Sequence, residues 1–304
     1  MKVLVSGASG LVGTKLSGEL REAGHEVTAL STSKPSSGST IRWDPARGQV
    51  DASRLEGFDA VVHLAGESIV GANPLTGRWT EEKKRRILES RRQGTTLLAE
   101  TLAGLKERPE VLVSASAVGY YGSRGNELLT EKSEPGDDFL AEVCKVWEAS
   151  AGAAREAGIR VVHPRIGIVL SKSGGALGTT LPIFRLGLGG KVGSGRQFWS
   201  WVSLDDLTGA IRHAIANDAV RGPMNVGSPN PKTNAEYTRI LGEVLGRPTV
   251  LPLPAPAARL MLGEVADALL LASARMEPRV LQETGYEFRH PELAPALRDI
   301  LRDG

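Results

Sequence analysis

Lys2-Val3-Leu4-Val5-Ser6-Gly7-Ala8-Ser9-Gly10-Leu11-Val12-Gly13 is the stretch that decides the fold. Lys2 to Ser6 is a short run of branched residues, of the kind buried on both faces of a parallel sheet. Glycines follow at 7, 10 and 13, and Leu11, Leu16 and Leu20 then mark a helix that Gly24 closes. His25 to Leu30 reads as a second strand. The three glycines have separate tasks: the first permits a sharp turn out of the strand, the second keeps a side chain out of the space before the helix, and the third lets helix pack on strand. Free N–H groups and the helix dipole make such an N-terminus receptive to an anion such as a pyrophosphate. Strand, glycine turn, helix and strand form a dinucleotide-binding unit, with Gly7, Ser9, Gly10, Leu11, Val12 and Gly13 as candidate contacts.

The end of the second strand selects between cofactors. A carboxylate there would bond the adenosine ribose 2′-hydroxyl and repel a 2′-phosphate. Ser31, Thr32, Ser33 and Lys34 stand there instead, hydroxyls and a cation that favour NADP(H) over NAD(H); the competing reading is a solvated Ser-rich loop. Asp59 to Ala65 is a further buried strand and delivers Leu64, Ala65, Gly66 and Glu67 to the same crevice, since ligands of open α/β sheets bind beyond the carboxyl ends of strands. Residues 80–104 read as a helix, with Lys83, Lys84, Arg85, Arg86, Arg91 and Arg92 interleaved with Glu81, Glu82 and Glu89 in the pattern of a solvated face. Glu110 to Ser114 is the next strand and runs into Ser114-Ala115-Ser116-Ala117-Val118-Gly119-Tyr120-Tyr121-Gly122. Hydroxyls gathered at a strand end beside a nucleotide are candidates for proton transfer.

Bulk composition narrows the class. Of 304 residues 36 are glycine, with no Gly-X-Y period, and the 41% hydrophobic and 24% charged residues suit a packed globular protein. Aromatic residues make up only 5%, so the core rests on Val, Leu, Ile and Ala. Lys+Arg 37 against Asp+Glu 35 leaves +2, no field to recruit nucleic acid or a membrane. A single cysteine, Cys144, forbids an intrachain disulfide and suits a reducing, cytoplasmic setting. The five histidines show no zinc-ligand spacing, so no metal is expected. The N-terminus is no secretory signal, and no apolar run approaches the ~18 residues of a membrane span.

The chain resembles an extended short-chain dehydrogenase/reductase of the nucleotide-sugar epimerase-like group, and within it the atypical subfamily of epimerase family proteins. Gly7–Gly13, His63–Glu67, Arg78-Trp79, Ser90-Arg91, Ser114–Gly122, Phe139–Glu142 with Trp147-Glu148, Gly174–Leu177, Gly195–Gln197, Trp201–Asp206, Asn225 with Pro229–Pro231, Arg247-Pro248 and Leu262–Glu264 carry the resemblance over essentially the whole length. It implies a Rossmann core that binds NADP(H). It also implies a site of Ser, Tyr and Lys, the last two four apart on a helix, where tyrosine exchanges a proton with the substrate and lysine holds the nicotinamide ribose. Ser116 matches the serine. Anchoring Glu148 to the acid that commonly follows the lysine places Leu140 and Cys144 where tyrosine and lysine are expected, with Lys145 about 100° around the helix. Arg91 replaces the asparagine usually found ahead of Gly94-Thr95. Tyr120 and Tyr121 are the substitute candidates, on condition that a neighbour such as Arg91, pointing inward, lowers a phenol from about 10.

Ile159 to Ile168 reads as another parallel strand; in similar proteins the backbone there, Pro164-Arg165-Ile166, meets the nicotinamide carboxamide. Residues 187–195 hold five glycines between Arg185 and Arg196-Gln197, either a loop closing over an anionic substrate or a mobile connection. Asp205-Asp206 should cap the helix that follows, and 257–304 should be helical. The expected architecture is α/β: a doubly wound parallel Rossmann sheet from residues 1–170 with 198–228, interwoven with a smaller C-terminal substrate lobe from 171–197 with 229–304. The expected protein, a monomer or homodimer, is an NADP(H)-dependent oxidoreductase or epimerase-like enzyme for a small polar substrate. The missing Tyr-x-x-x-Lys pair leaves the alternative of an NADP(H) sensor without turnover. Candidate catalytic groups are Ser116, Tyr120 and Tyr121. Candidate cofactor contacts add Ser31–Lys34, Leu64–Glu67, Arg91, Ser114, Ala115, Pro164, Arg165 and Ile166 to those of the glycine turn.

Overall fold

Alternate residues of a strand face opposite sides, and in the first strand both sides are covered. The structure, a computed structural model, describes residues 1–33, 39–70 and 77–302; Lys34 lies outside them. The strands up to Val226, in chain order, are β1 Lys2–Ser6, β2 Glu26–Ser31, β3 Thr40–Asp44, β4 Gln49–Val50, β5 Ala60–His63, β6 Val111–Ser114, β7 Ser116–Ala117, β8 Leu128–Leu129, β9 Arg160–Ile166, β10 Ile168–Ser171, β11 Phe198–Trp199, β12 Trp201–Ser203 and β13 Gly222–Val226. The main sheet runs β13-β9-β6-β5-β1-β2-β3-β4, with β7 also on β9. Its pairs are parallel except β3 with β4. The chain leaves β1 for β2 on one side and returns as β5 on the other, and that reversal opens a crevice at the carboxyl ends.

Helices cover both faces. Val3 and Val5 pack with Leu16 and Leu20 of α1 (Leu11–Glu22) and with Leu207 and Ile211. On the opposite face Leu4 and Val61 meet Leu98 and Leu102 of α2 (Glu81–Gly104) and Ala151 and Ala154. Residue alternation along KVLVS therefore feeds two cores at once. A third core lies in the C-terminal part, where Leu170, Leu177, Phe184 and Trp201 enclose Tyr237, Leu241 and Leu297.

That part is less helical than its composition suggests. Residues 257–304 contain Ala255–Leu262 continuing in, a π-turn at Ala266–Leu271, a strand Arg275–Met276 paired with β8, and helices Arg279–Glu283 and Leu293–Arg302. Proline and glycine at 278, 285 and 291 divide the region. The helix cap after β12 also differs from expectation: Ser203, not an aspartate, caps Leu204–Ala216 by accepting from the Asp206 N–H at 3.0 Å. Asp205 and Asp206 occupy the first turn, where carboxylates favour the helix dipole.

The glycine loop 187–195 is pinned to the chain at 251–253. Gly193 N–H donates to Leu253 O at 2.8 Å, Leu253 N–H to Lys191 O at 2.9 Å, and a Cβ on Gly190 would lie 1.9 Å from Leu251 O. Gln197 is buried and donates to Val192 O and Leu270 O, and Arg185, Lys191 and Arg196 are exposed cations there. No helix among the described residues is long and apolar enough to cross a membrane.

Candidate cofactor and active site

The glycine turn is built as a cradle. Gly7 has φ +69°, and a Cβ on it would sit 3.0 Å from Ala65 N, so the turn and the end of β5 approach to backbone contact. A Cβ on Gly13 would fall 2.2 Å from Gly7 O. Gly10 precedes α1 with no side-chain cap, which leaves the first N–H groups of that helix available to an anion. Ser31 ends β2, its hydroxyl accepts from Ser33 N–H at 3.1 Å, and the register of β2 with β3 sets Arg42 opposite it. Arg42 is exposed. Sequence reasoning missed it because nothing in the Ser-rich stretch signalled that β3 would pair beside β2.

Ser6 joins the cradle to β5. It accepts from Leu64 N–H at 3.2 Å and hydrogen-bonds His63 Nδ1 at 2.6 Å, while His63 Nε2 meets Thr95 Oγ1 at 3.1 Å. Burial, aided by Arg91, pushes His63 down to about 4, and burial does the same to His163, also to about 4. An unfolded histidine protonates near 6.5. Stability is therefore complete above that value and falls as acid loads the unfolded chain alone, by about 1.4 kcal/mol per pH unit for each ring. Urea midpoints should drop from pH 7 to pH 5, and His163→Gln should shallow that slope; a flat profile would contradict the assignment.

The cations of α2 divide. Arg85 and Arg92 pair with Glu82 and Glu89 on the solvated face that the pattern implied. Lys83 instead donates to Glu67 at 2.6 Å, Lys84 pairs with Glu264 near the end of the Ala255–Leu262 helix, and Arg91 turns inward. Arg91 does not approach the tyrosines. Its guanidinium lies 4.7 Å from the Trp147 ring centroid and donates from Nη1 to Glu67 O at 3.0 Å and Ile87 O at 3.1 Å. It lies close against Gly66, where a Cβ would be 3.3 Å from Arg91 Cζ. Ser114, at the end of β6, is buried and its hydroxyl has no partner among the described residues.

Beyond β6 one row crosses three strands, because Arg165 of β9 is paired with Ser116 of β7 on one side and Asn225 of β13 on the other. Arg165 makes a two-pronged ion pair with Glu148 of α3 (Phe139–Ala149), Nε to Oε1 at 2.8 Å and Nη2 to Oε2 at 2.9 Å. Ser116 donates to the same Glu148 Oε1 at 2.7 Å. Arg165 Nη1 also donates to the Tyr121 hydroxyl at 3.0 Å, and that hydroxyl donates to Asn225 Oδ1 at 2.6 Å. Tyr121 is buried, and burial pushes its phenol up to about 12. The guanidinium beside both phenols is thus Arg165, stacked 3.4 Å from the Tyr120 ring centroid. Tyr120 is half-buried and its hydroxyl makes no hydrogen bond among the described residues.

Leu140 and Cys144 are buried on α3, and burial pushes the Cys144 thiol up to about 12, far from a nucleophilic thiolate. Lys145 points outward to Glu142 at 2.6 Å. Arg165 and Glu148 are the members of this network whose pairing the sequence concealed. Arg165 stood as a cofactor contact and Glu148 as an alignment marker, and only the meeting of β9 with α3 joins them. Elsewhere, Asp205, His290 and Asp299 bring ligand atoms within 4.8 Å of one another, but Lys15 pairs with Asp205 at 2.6 Å and Asp299 with His290 at 2.9 Å.

A parallel doubly wound sheet with a glycine cradle at its reversal point defines a Rossmann dinucleotide-binding protein of the short-chain dehydrogenase/reductase type. Residues 3–227 match the NAD dependent epimerase/dehydratase family, and residues 253–300 match a domain of unknown function (DUF1731). The chain belongs to the NAD dependent epimerase/dehydratase family, as an atypical extended short-chain dehydrogenase/reductase. It is 39% identical over 302 residues to the human epimerase family protein SDR39U1, covering 99% of this chain and 100% of that protein. It is 39% identical over 295 residues to the Mycobacterium tuberculosis epimerase family protein MT2273, covering 97% and 96%. The crystal structure of human SDR39U1 (isoform 2) with NADPH superposes with TM-score 0.90 at 37% identity over 100% of both chains. A UDP-glucose 4-epimerase from Thermus thermophilus in complex with NAD, at 21% identity and TM-score 0.73, shares the fold.

Proposed function

We propose that the protein is an NADP(H)-dependent oxidoreductase or epimerase-like enzyme acting on a small polar substrate, with NADP(H) preferred over NAD(H). The observation that carries this reading is the intact cradle facing a Ser116–Glu148 pair. The cradle residues fit a dinucleotide: Gly7 and Gly13 let the turn, α1 and the end of β5 close to backbone contact, and Leu64, Ala65, Ser114 and Ala115 would line the way to its nicotinamide. Binding of NADPH by the human relative supports the same cofactor here. Ser31, Thr32, Ser33 and Arg42 would meet the 2′-phosphate, and the backbone of Pro164 to Ile166 the carboxamide. The lobe of 171–197 with 229–304 would take the substrate.

NADP(H), when bound, supplies the hydride acceptor or donor. Ser116 already donates its hydrogen bond to Glu148, so its oxygen is left to accept a hydrogen bond from a substrate hydroxyl. As that hydroxyl is oxidised, its proton passes to Ser116 and the proton of Ser116 to Glu148; reduction runs the other way. Tyr120, its ring stacked on Arg165 and its hydroxyl unbonded among the described residues, would help orient the substrate, while the Tyr121 hydroxyl is occupied in holding Asn225.

Calorimetric titration tests the cofactor. NADPH should bind more tightly than NADH, and Arg42→Ala should weaken NADPH about tenfold while leaving NADH unchanged, the loss of one charge-assisted contact. Equal weakening of both, or no binding by the wild type, would defeat the assignment. A panel of sugar nucleotides and small carbonyls, followed by NADPH absorbance, tests turnover, which Ser116→Ala should abolish. The buried Leu140 and Cys144 favour a second reading, an NADP(H) sensor, which wins where binding is intact and the panel yields nothing.

A further inference from the structure

Two stretches of the C-terminal part, residues 171–204 and 244–263, contain no carboxylate side chain. The fold lays parts of them side by side. Besides the contacts that pin the glycine loop to 251–253, Leu251 N–H donates to Gly189 O at 3.4 Å, and a Cβ on Gly187 would lie 3.4 Å from Pro248 Cγ. Aliphatic side chains project along this seam: Leu186 is 74% exposed and Leu188 53% on one stretch, Val250 73% and Leu251 51% on the other. Apolar side chains gathered in water are unfavourable, and a soluble surface that keeps such a cluster marks an interaction site. Arg185, Lys191, Arg196 and Arg247 are exposed in the same two stretches. None of the four has an ion pair among the described residues, whereas Arg85, Arg92 and Arg124 elsewhere each have one. Beside Val250 a cavity of about 280 Å³ opens between Lys191, Thr238, Thr249 and Pro252, lined by ammonium and hydroxyl donors. Arg239, which also lines it, is paired with Glu243 at 2.5 Å.

We propose that this seam docks the protein on the surface of an anionic lipid bilayer, its aliphatic side chains entering the acyl boundary and its cations meeting lipid phosphates. Apolar side chains flanked by unpaired cations are what interfacial binding requires. Side chains that project so far do not line a groove for a peptide. A second copy fits no better, since a two-fold interface faces the patch with itself and sets like charges against like. The chain-wide charge of +2 hides this separation, because it averages the acid-free stretches with the rest. Docking of this kind needs no membrane-spanning helix, and it is independent of the cofactor reading.

Co-sedimentation with vesicles tests it, using phosphatidylcholine alone and phosphatidylcholine mixed in equal parts with phosphatidylglycerol. The protein should pellet with the mixed vesicles, stay in solution with the neutral ones, and be released by high salt. Leu186→Ser with Leu188→Ser should weaken binding about tenfold, and Lys191→Gln or Arg247→Gln about fivefold each. The unfolding temperature should not change, since all four side chains are exposed. Arg92→Gln, which removes a cation from α2, should bind as the wild type does. A wild type that ignores the mixed vesicles overturns the proposal. So does an equal loss in Arg92→Gln, which would reduce the attraction to overall charge. A dimer in solution that the paired serine substitutions split would give the seam to a second copy and overturn it as well.

Discussion

Gly13→Ala should cost at least tenfold in NADPH affinity, about 1.4 kcal/mol, and lower the unfolding temperature as well. The added Cβ would lie 2.2 Å from Gly7 O and 2.8 Å from Ala8 Cα, both backbone atoms of the cradle. Neither can swing aside as a side-chain tip would, so α1 must tilt off β1 or the turn must open. Overpacking of this kind costs about 1–3 kcal/mol, or about 2–4 °C for each kcal/mol in a large domain. Gly18 is the control. It sits in the same helix with nothing within 4 Å of its Cβ position, so Gly18→Ala should stabilise by up to about 1 kcal/mol through helix propensity and leave affinity alone. Unchanged NADPH binding by Gly13→Ala would mean that the cradle is not where the pyrophosphate lies.

Arg165→Met should be the most destabilising single change at the site. Arg165 is 3% exposed and Glu148 14%, and removing one partner of a buried pair costs about 3–5 kcal/mol because the other charge is stranded. Tyr121 and Glu131 O lose a donor in the same step. Glu148→Leu should cost a similar amount. The double variant should lose less than the sum of the singles, since no charge is then left without its counterion. Chemical denaturation of the four proteins measures the cycle, and strict additivity would refute the coupling.

Local signals carried most of the nucleotide-binding half. The strand, the glycines, the leucine spacing of α1 and Gly24 with φ +82° all lie within two dozen residues and act on their neighbours. The cap falls on Ser203 and not on the expected Asp205-Asp206, although a serine three residues before an acid is itself a capping signature. What stayed hidden depends on distant segments. β3 is placed by pairing across eight residues whose sequence has no strand pattern, and the C-terminal strand Arg275–Met276 is called up by β8, nearly 150 residues earlier. Glu148 and Arg165 belong to different layers and meet only when α3 packs over β7 and β9. Periodicity reports which face of an element is buried and says nothing of which charge waits there.

Asp206 is almost wholly buried, and it accepts from Arg289 N–H at 2.7 Å, His290 N–H at 2.9 Å, Ser203 Oγ at 2.8 Å and Tyr286 Oη at 3.2 Å. Three of those four donors come from the last twenty residues. A ribosome releasing this chain N-terminus first would therefore have made every strand of the main sheet before it supplied the groups that neutralise a carboxylate packed against it. The helix that carries Asp206 packs against the main sheet, so that layer is completed only by backbone and phenol donors from residues 286–290.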